Sequence, residues 1–240
     1  IQPFHFFFIR HRKKNNFISR GLSPGLSWDD VQEIRKNFPD LHMVYPMVRR
    51  WSTRIATPGF NSKDIVLWAT TDEWRKREWV YTLRGRFFTA DDVKNSARVA
   101  VILEPGGWVV KPFWAKYFPE KALEKALKHQ EFLGRTIRLD DHEFTVVGII
   151  KEPPRDKDPR WNSNNYGGSG DILVPITSYY RYHLPGYDKN AAGKVDEVQI
   201  DTGSEQTVSS YLRRIQSLVN ARHRWQTRGL LHQHDWPGRF

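Results

Sequence analysis

Two imidazoles and a carboxylate stand together at His232-Gln233-His234-Asp235, a donor set that zinc or copper accepts. A closed site needs a further ligand. No third histidine or acidic partner can be assigned from spacing, because His5, His11 and His42 are scattered. The stretch therefore reads as a solvent-exposed tail, with metal binding by His232 and His234 left open. Ser169, within Gly167-Gly168-Ser169-Gly170, comes nearest to a nucleophile elbow, but that device needs a strand, a sharp turn and a helix. The flanks of Ser169 carry neither period, so a linker is the better reading. Gly85-Arg86-Phe87-Phe88-Thr89-Ala90-Asp91-Asp92 combines residue types found in functional loops, yet a structural role accounts for each: Gly85 relaxes a turn, Phe88 packs inward, and Thr89 caps a short helix with Asp92 three residues on. There is no Gly-x-x-x-x-Gly-Lys-Ser/Thr loop and no Gly-x-Gly-x-x-Gly, so nothing is available to cradle a phosphate. Cysteine is absent, which removes disulfides, thiolate catalysis and Cys-based zinc sites together. The expectation is a chain without catalytic residues or cofactor, any ATP hydrolysis belonging to another chain or segment.

The charge points elsewhere. With 38 Lys+Arg against 27 Asp+Glu the formal charge is +11, enough to attract polyanions or anionic head groups. Basic clusters at Arg10–Lys14, Arg49-Arg50, Arg75-Lys76-Arg77 and Arg213-Arg214 have aromatics nearby, the mixture that nucleic-acid binders use. These clusters are spread along the chain without a recognition motif, and two fall where helix faces should be solvated. They read as a solvated or lipid-facing surface, with no nucleic-acid partner. A free-standing basic module that binds polyanions, nucleic acid or anionic lipid, is the competing function.

The elements behind these residues follow from periodicity. Phe4–Arg12 reads as a strand with a charged exit. Ser27 precedes a helix, with Asp30 three residues on as in a capping box; Trp28, Val31, Ile34 and Phe38 share its apolar face and Pro39 stops it. His42–Val48, Arg49–Thr57 and Asp64–Thr70 read as extended. A helix is expected from Trp114 to about Gln130, with Tyr117, Leu123, Ala126 and Leu127 as its apolar face and Pro119 near a start or dividing it. Thr136–Leu139 and Phe144–Ile150 form a hairpin through Asp140-Asp141-His142. Pro153–Asp171 is aperiodic and reads as a long surface loop. Asp171–Pro175 and Val195–Asp201 are strands, and a helix from about Ser204 carries the stripe Val208, Leu212, Ile215, Val219. No run approaches the roughly 18 apolar residues that span a bilayer. The start, Ile1-Gln2-Pro3-Phe4, has neither an initiator Met nor a signal-peptide layout and reads as the edge of a fragment. Strand–helix–strand at one end, strand–helix at the other and a mainly β middle predict an α+β fold with one module inserted in another.

Several of these stretches, in order, resemble the periplasmic core domain of MacB-type permeases and, more loosely, the FtsX-like group. They are Leu26-Ser27-Trp28-Asp29-Asp30-Val31; Phe38-Pro39-Asp40 to Tyr45-Pro46; Leu83–Asp92, similar to a recurrent Gly-Arg-x-Phe-Thr-x-x-Asp stretch; the strand Val99–Leu103; Leu133-Gly134-Arg135-Thr136-Ile137-Arg138-Leu139 with Phe144–Ile149; Ile172-Leu173-Val174-Pro175; and the helix ending Leu218–His223. The chain departs from the pattern around Trp108–Gln130, at Pro153–Asp171 and after Trp225.

The resemblance implies a porter-like subdomain formed by both chain ends, placed at 1–84 and 191–240, and an inserted, mostly β subdomain at 85–190. It implies an extracytoplasmic, periplasmic domain of an ABC transporter permease, non-catalytic, joined through transmembrane helices outside these 240 residues to a cytoplasmic ATPase. A homodimer is the implied assembly, with a periplasmic adaptor as a further partner in some members. The inserted subdomain, with Trp108, Trp114, Phe118, Trp161 and Tyr166, carries more large aromatics than its core needs: Trp161 and Tyr166 on the long loop are the preferred contact residues, Trp108 and Trp114 are further candidates, and Trp114 and Phe118 have the equal alternative of packing the expected helix onto the Thr136–Ile150 hairpin.

Overall fold

The structure is a computed structural model; it describes residues 6–10, 26–117, 120–154, 156–157, 171–182, 193–223 and 231–233. Its elements in chain order are β1 (Phe6–Arg10), α1 (Trp28–Asn37), β2 (Met43–Thr57), β3 (Phe60–Thr70), a 3-10 helix (Asp72–Val80), β4 (Thr82–Gly85), α2 (Ala90–Lys94), β5 (Val99–Glu104), a second 3-10 helix (Phe113–Tyr117), α3 (Ala122–Leu127), β6 (Thr136–Leu139), β7 (His142–Lys151), β8 (Ile172–Pro175), α4 (Ile176–Arg181), β9 (Glu197–Asp201), α5 (Glu205–His223) and β10 (Leu231–Gln233). The chain divides into two compact units, one from Ile1–Val48 with Lys189–Phe240 and one from Arg49–Asp188. The first break falls earlier than the expected 84/85, because the end of β2 pairs with β6, and β3 with β8, inside the second unit.

In the unit built from both chain ends, β1 lies antiparallel between β10 and β9, and β9 is antiparallel to the start of β2, from Met43 opposite Asp201 to Met47 opposite Glu197. Met43 to Val48 are all buried. So are Val31 and Ile34 of α1 and Val208, Tyr211, Ile215 and Val219 of α5. Tyr211 takes the place in the stripe that Leu212 was expected to hold: its ring meets Phe38 edge-on at 6.0 Å, its hydroxyl donates to the Asp40 carboxylate, and the Arg214 guanidinium covers both rings.

Both capping boxes expected from the sequence are present. At the start of α1 the Ser27 N–H and hydroxyl donate to the Asp30 carboxylate at 2.9 and 2.8 Å, and the Asp30 N–H donates back to Ser27 Oγ at 3.2 Å. Asp30 is buried and also accepts from Arg222 Nε at 2.8 Å and lies 2.9 Å from His223 Nε2, which joins the N-terminus of α1 to the last turn of α5. Burial pushes the Asp30 carboxyl up, but the hydrogen bonds from Arg222, Ser27 and His223 outweigh it and hold the group below the ordinary aspartate range.

In the second unit the pairings close on themselves. The hairpin β2–β3 turns at Gly59, β3 is parallel to β8, β8 antiparallel to β5, β5 parallel to β7, β7 antiparallel to β6, and β6 returns to β2. Closure leaves few edges to protect. Since β5 occupies one edge of β7, β6 and β4 share the other, β6 along its first half and β4 along its second. The Gly85–Asp92 turn sits where β4 leaves: Phe88 is buried, Phe87 stacks on Trp74 at 5.6 Å, and Thr89 and Asp92 form the cap of α2.

Asp171 ties this unit together. Its carboxylate accepts from the Val66 N–H at 2.7 Å and from Lys121 Nζ at 2.8 Å, while its backbone bonds to Val66 and Leu103. Asp171→Ala leaves the buried Val66 N–H without its acceptor, a loss of about 1–3 kcal/mol; urea denaturation should show a lower midpoint at unchanged slope.

Candidate contact surface

The stretch after β5 is held at both ends and presented in between. Gly106 passes so close to the next segment that an added Cβ would lie 2.2 Å from the carbonyl oxygens of Glu152 and Pro153, so no larger residue fits there. The Val109 and Val110 N–H groups donate to the two oxygens of Asp156 at 2.8 and 3.2 Å. The Val109 bond, aided by that of Val110, outweighs the slight desolvation of Asp156 and keeps its carboxyl below the usual range. Beyond the second 3-10 helix, where Ala115 is buried, Lys121 binds Asp171 and α3 packs Leu123 and Ala126 inward.

Between these anchors Val109, Val110, Phe113 and Tyr117 are 60, 73, 81 and 69% exposed. Among the described residues they are four of the five exposed large hydrophobics, the other being Trp51. Scattered apolar side chains are ordinary on a surface, whereas here four of them fall within one anchored stretch.

Of the residues expected to make contact, Trp108 is half-buried at the head of this stretch, and Trp114 lies on the 3-10 helix. Trp161, Tyr166 and Phe118 lie outside the described residues, as does most of the expected Pro153–Asp171 loop. The expected helix from Trp114 to Gln130 consists instead of the 3-10 turn and the short α3, and Tyr117 points out rather than into the core. Tyr117 and Leu123 do not share a helix, since the 3-10 turn ends at Tyr117 and α3 begins at Ala122. Val109, Val110 and Phe113 were not singled out from sequence. The available signal was an apolar run, Trp108-Val109-Val110-Lys111-Pro112-Phe113, directly after Pro105-Gly106-Gly107, with neither strand nor helix period.

An open cleft of about 730 Å³ is lined by Ala56, Thr57, Pro58, Arg135, Thr136, Arg138 and Glu143, and Arg138 and Glu143 face each other across the β6–β7 ladder. Among the described residues no three His, Asp or Glu side chains converge on a possible metal site; His234 and Asp235 lie outside them. Of the basic clusters, Arg49 lies over the Trp68 ring and Arg50 Nε donates to the Tyr179 hydroxyl, Lys76 pairs with Glu73 on the first 3-10 helix, and Arg213 and Arg214 are exposed on α5. Among the described residues no helix is long and apolar enough to cross a membrane.

No curated protein matches the chain in sequence. Several solved structures share its fold, two of them as follows. The periplasmic region of MacB from Actinobacillus actinomycetemcomitans is 16% identical, with a TM-score of 0.60 over 91% of this chain and 83% of that one. The extracellular domain of the noncanonic ABC-type transporter YknZ from Gram-positive bacteria is 14% identical, with a TM-score of 0.61 over 92% and 95%. At these identities the likeness is one of fold. Residues 5–218 match the MacB-like periplasmic core domain family, a generally non-catalytic class of transporter domain. With the family motifs in order along the sequence, a unit built from both chain ends and a mostly β insert, the chain belongs to the MacB-like periplasmic core domain family and is an extracytoplasmic domain of an ABC transporter permease.

Proposed function

We propose that this domain relays the ATP-driven motion of its permease to events outside the membrane, that it does so as half of a homodimer, and that its inserted unit engages an adaptor or cargo through the Trp108–Tyr117 stretch. A permease of this class works with an ATPase, so the domain's own contribution is contact and movement rather than chemistry. The observation that carries the reading is the set of four exposed apolar side chains on an anchored backbone. Such a surface is already ordered before it meets a partner, which lowers the entropy lost on binding. On residue type alone, Trp161 and Tyr166 are proposed as further contact residues.

The test is Phe113→Ala/Tyr117→Ala. Truncating two aromatic anchors at an interface should cost about 2–4 kcal/mol of binding, or roughly thirtyfold or more in affinity. Both side chains are exposed, so the domain's own Tm should move by no more than about 2 °C. Export by the complete transporter should fall at least about tenfold. Export unchanged in a folded variant would refute the contact.

A further inference from the structure

We propose that the segment received by the Trp108–Tyr117 stretch belongs to a protein and is both apolar and acidic, offering carboxylates to Lys111 and Lys116 beside side chains that cover Val109, Val110, Phe113 and Tyr117. This rests on the contact proposed above and specifies its chemistry.

Residues 105–119 contain Lys111 and Lys116 and no Asp or Glu. Three lysines around them are already matched: Lys121 to Asp171 at 2.8 Å, Lys128 to Glu120 at 2.7 Å, and Lys151 to Glu104 at 3.7 Å. Glu120, the carboxylate whose field Lys111 shares, takes its hydrogen bond from Lys128. Among the described residues no carboxylate lies within ion-pair distance of Lys111 or Lys116. The Lys116 ammonium instead rests 5.1 Å from the centre of the exposed Tyr117 ring.

Exposed lysines are ordinary; their interleaving with the apolar side chains is what selects a partner. A surface that covers Val110 and Phe113 also takes water from Lys111 between them, and covering Tyr117 does the same to Lys116. An ammonium desolvated without a partner is strongly unfavourable. A carboxylate placed there turns that cost into a charge-assisted hydrogen bond and penalises partners with the wrong charge.

An anionic bilayer would also offer negative charge, but Asp156 argues against it. This exposed carboxylate is bound to the stretch itself by the Val109 and Val110 N–H groups. Pressing the loop into acidic head groups would set like charges together and dehydrate Asp156. A protein segment can place its carboxylates at the two lysines and leave Asp156 in water.

The experiment installs photo-reactive benzoylphenylalanine at position 113 of the permease in the complete transporter, cross-links in cells and identifies the attached peptide by mass spectrometry. The expected product is a protein segment with Asp or Glu within a few residues of apolar side chains. Lys111→Glu/Lys116→Glu should lower the yield at least about tenfold, and Lys111→Gln/Lys116→Gln should lower it less. Changing the captured carboxylates to Lys should restore the yield against the reversed permease. Lipid adducts, a segment without carboxylates, or a yield indifferent to charge reversal would each overturn the inference. If Phe113→Ala/Tyr117→Ala abolishes export while charge reversal changes nothing, the contact stands and its acidic character falls. If neither variant has an effect, or no adduct forms, both fall.

Discussion

Replacing Asp30 with Ala should destabilise the unit formed by the chain ends by about 3–4 kcal/mol, because one buried carboxylate serves two purposes. It completes the α1 capping box through Ser27, and it accepts from Arg222 Nε and meets His223 Nε2 at the end of α5. Loss of the cap alone is worth about 1 kcal/mol. The larger share comes from leaving the Arg222 guanidinium and the nearly buried His223 ring without their acceptor. For a chain of this size the Tm should fall by roughly 6–16 °C.

Asp30→Asn separates charge from shape, keeping an acceptor at the cap while removing the ion pair. Because the folded-state carboxyl is held below its ordinary range, its contribution is complete above the unfolded-state value near about 4 and is lost as the pH falls through the depressed folded-state value. The stability gap between wild type and Asp30→Asn should thus be flat above about pH 5 and close on acidification. A gap that widened towards acid would contradict the arrangement, and so would an Asp30→Ala variant as stable as wild type.

Gly85→Ala should cost the inserted unit more than 3 kcal/mol, although it adds a single methyl group, on the order of the most damaging core substitutions. Gly85 has φ +78°, and a Cβ there would lie 2.4 Å from the Val147 carbonyl oxygen and 2.7 Å from Leu133 Cδ1. Opposite it on β7, a Cβ on Gly148 would lie 2.2 Å from the Arg86 carbonyl oxygen. The two glycines let β4 leave β7 at close range, with the Arg86 N–H still donating to Val147 at 2.9 Å. Gly107→Ala supplies the control: its φ is +70°, yet nothing lies within 4 Å of the added Cβ. It should lose only about 1 kcal/mol, the cost of the left-handed backbone alone. Equal losses in the two variants, measured by urea denaturation, would show that the close approach of β4 to β7 is not what Gly85 serves. Hydrogen exchange at Thr82–Gly85 should rise in Gly85→Ala and stay unchanged in Gly107→Ala.

Both variants probe features that differ in how far the sequence discloses them. The turn role of Gly85, the inward packing of Phe88 and the Thr89–Asp92 cap were legible because each depends on residues within a few positions, and the Ser27–Asp30 box was legible for the same reason. The β6–β7 hairpin and the 19-residue α5 followed from periodicity. Likewise, the order of motifs along the chain carried the family resemblance, since order survives where identity falls to 16%.

Tertiary structure decided what distant residues do to one another. Nothing local indicates that Asp30 meets residues 192 and 193 positions away, or that Asp171 receives the N–H of Val66. Strand partners were equally silent. Runs such as Val99–Leu103 and Phe144–Ile150 are interchangeable by pattern, and closure of the ring through β6 and β2 selects which of them pair. The contact surface shows the same limit: an apolar run has one sequence signature whether it is covered or exposed. Val109, Val110, Phe113 and Tyr117 are left outside because Gly106, Asp156 and buried Ala115 fix the backbone in a position from which those four side chains cannot reach the core.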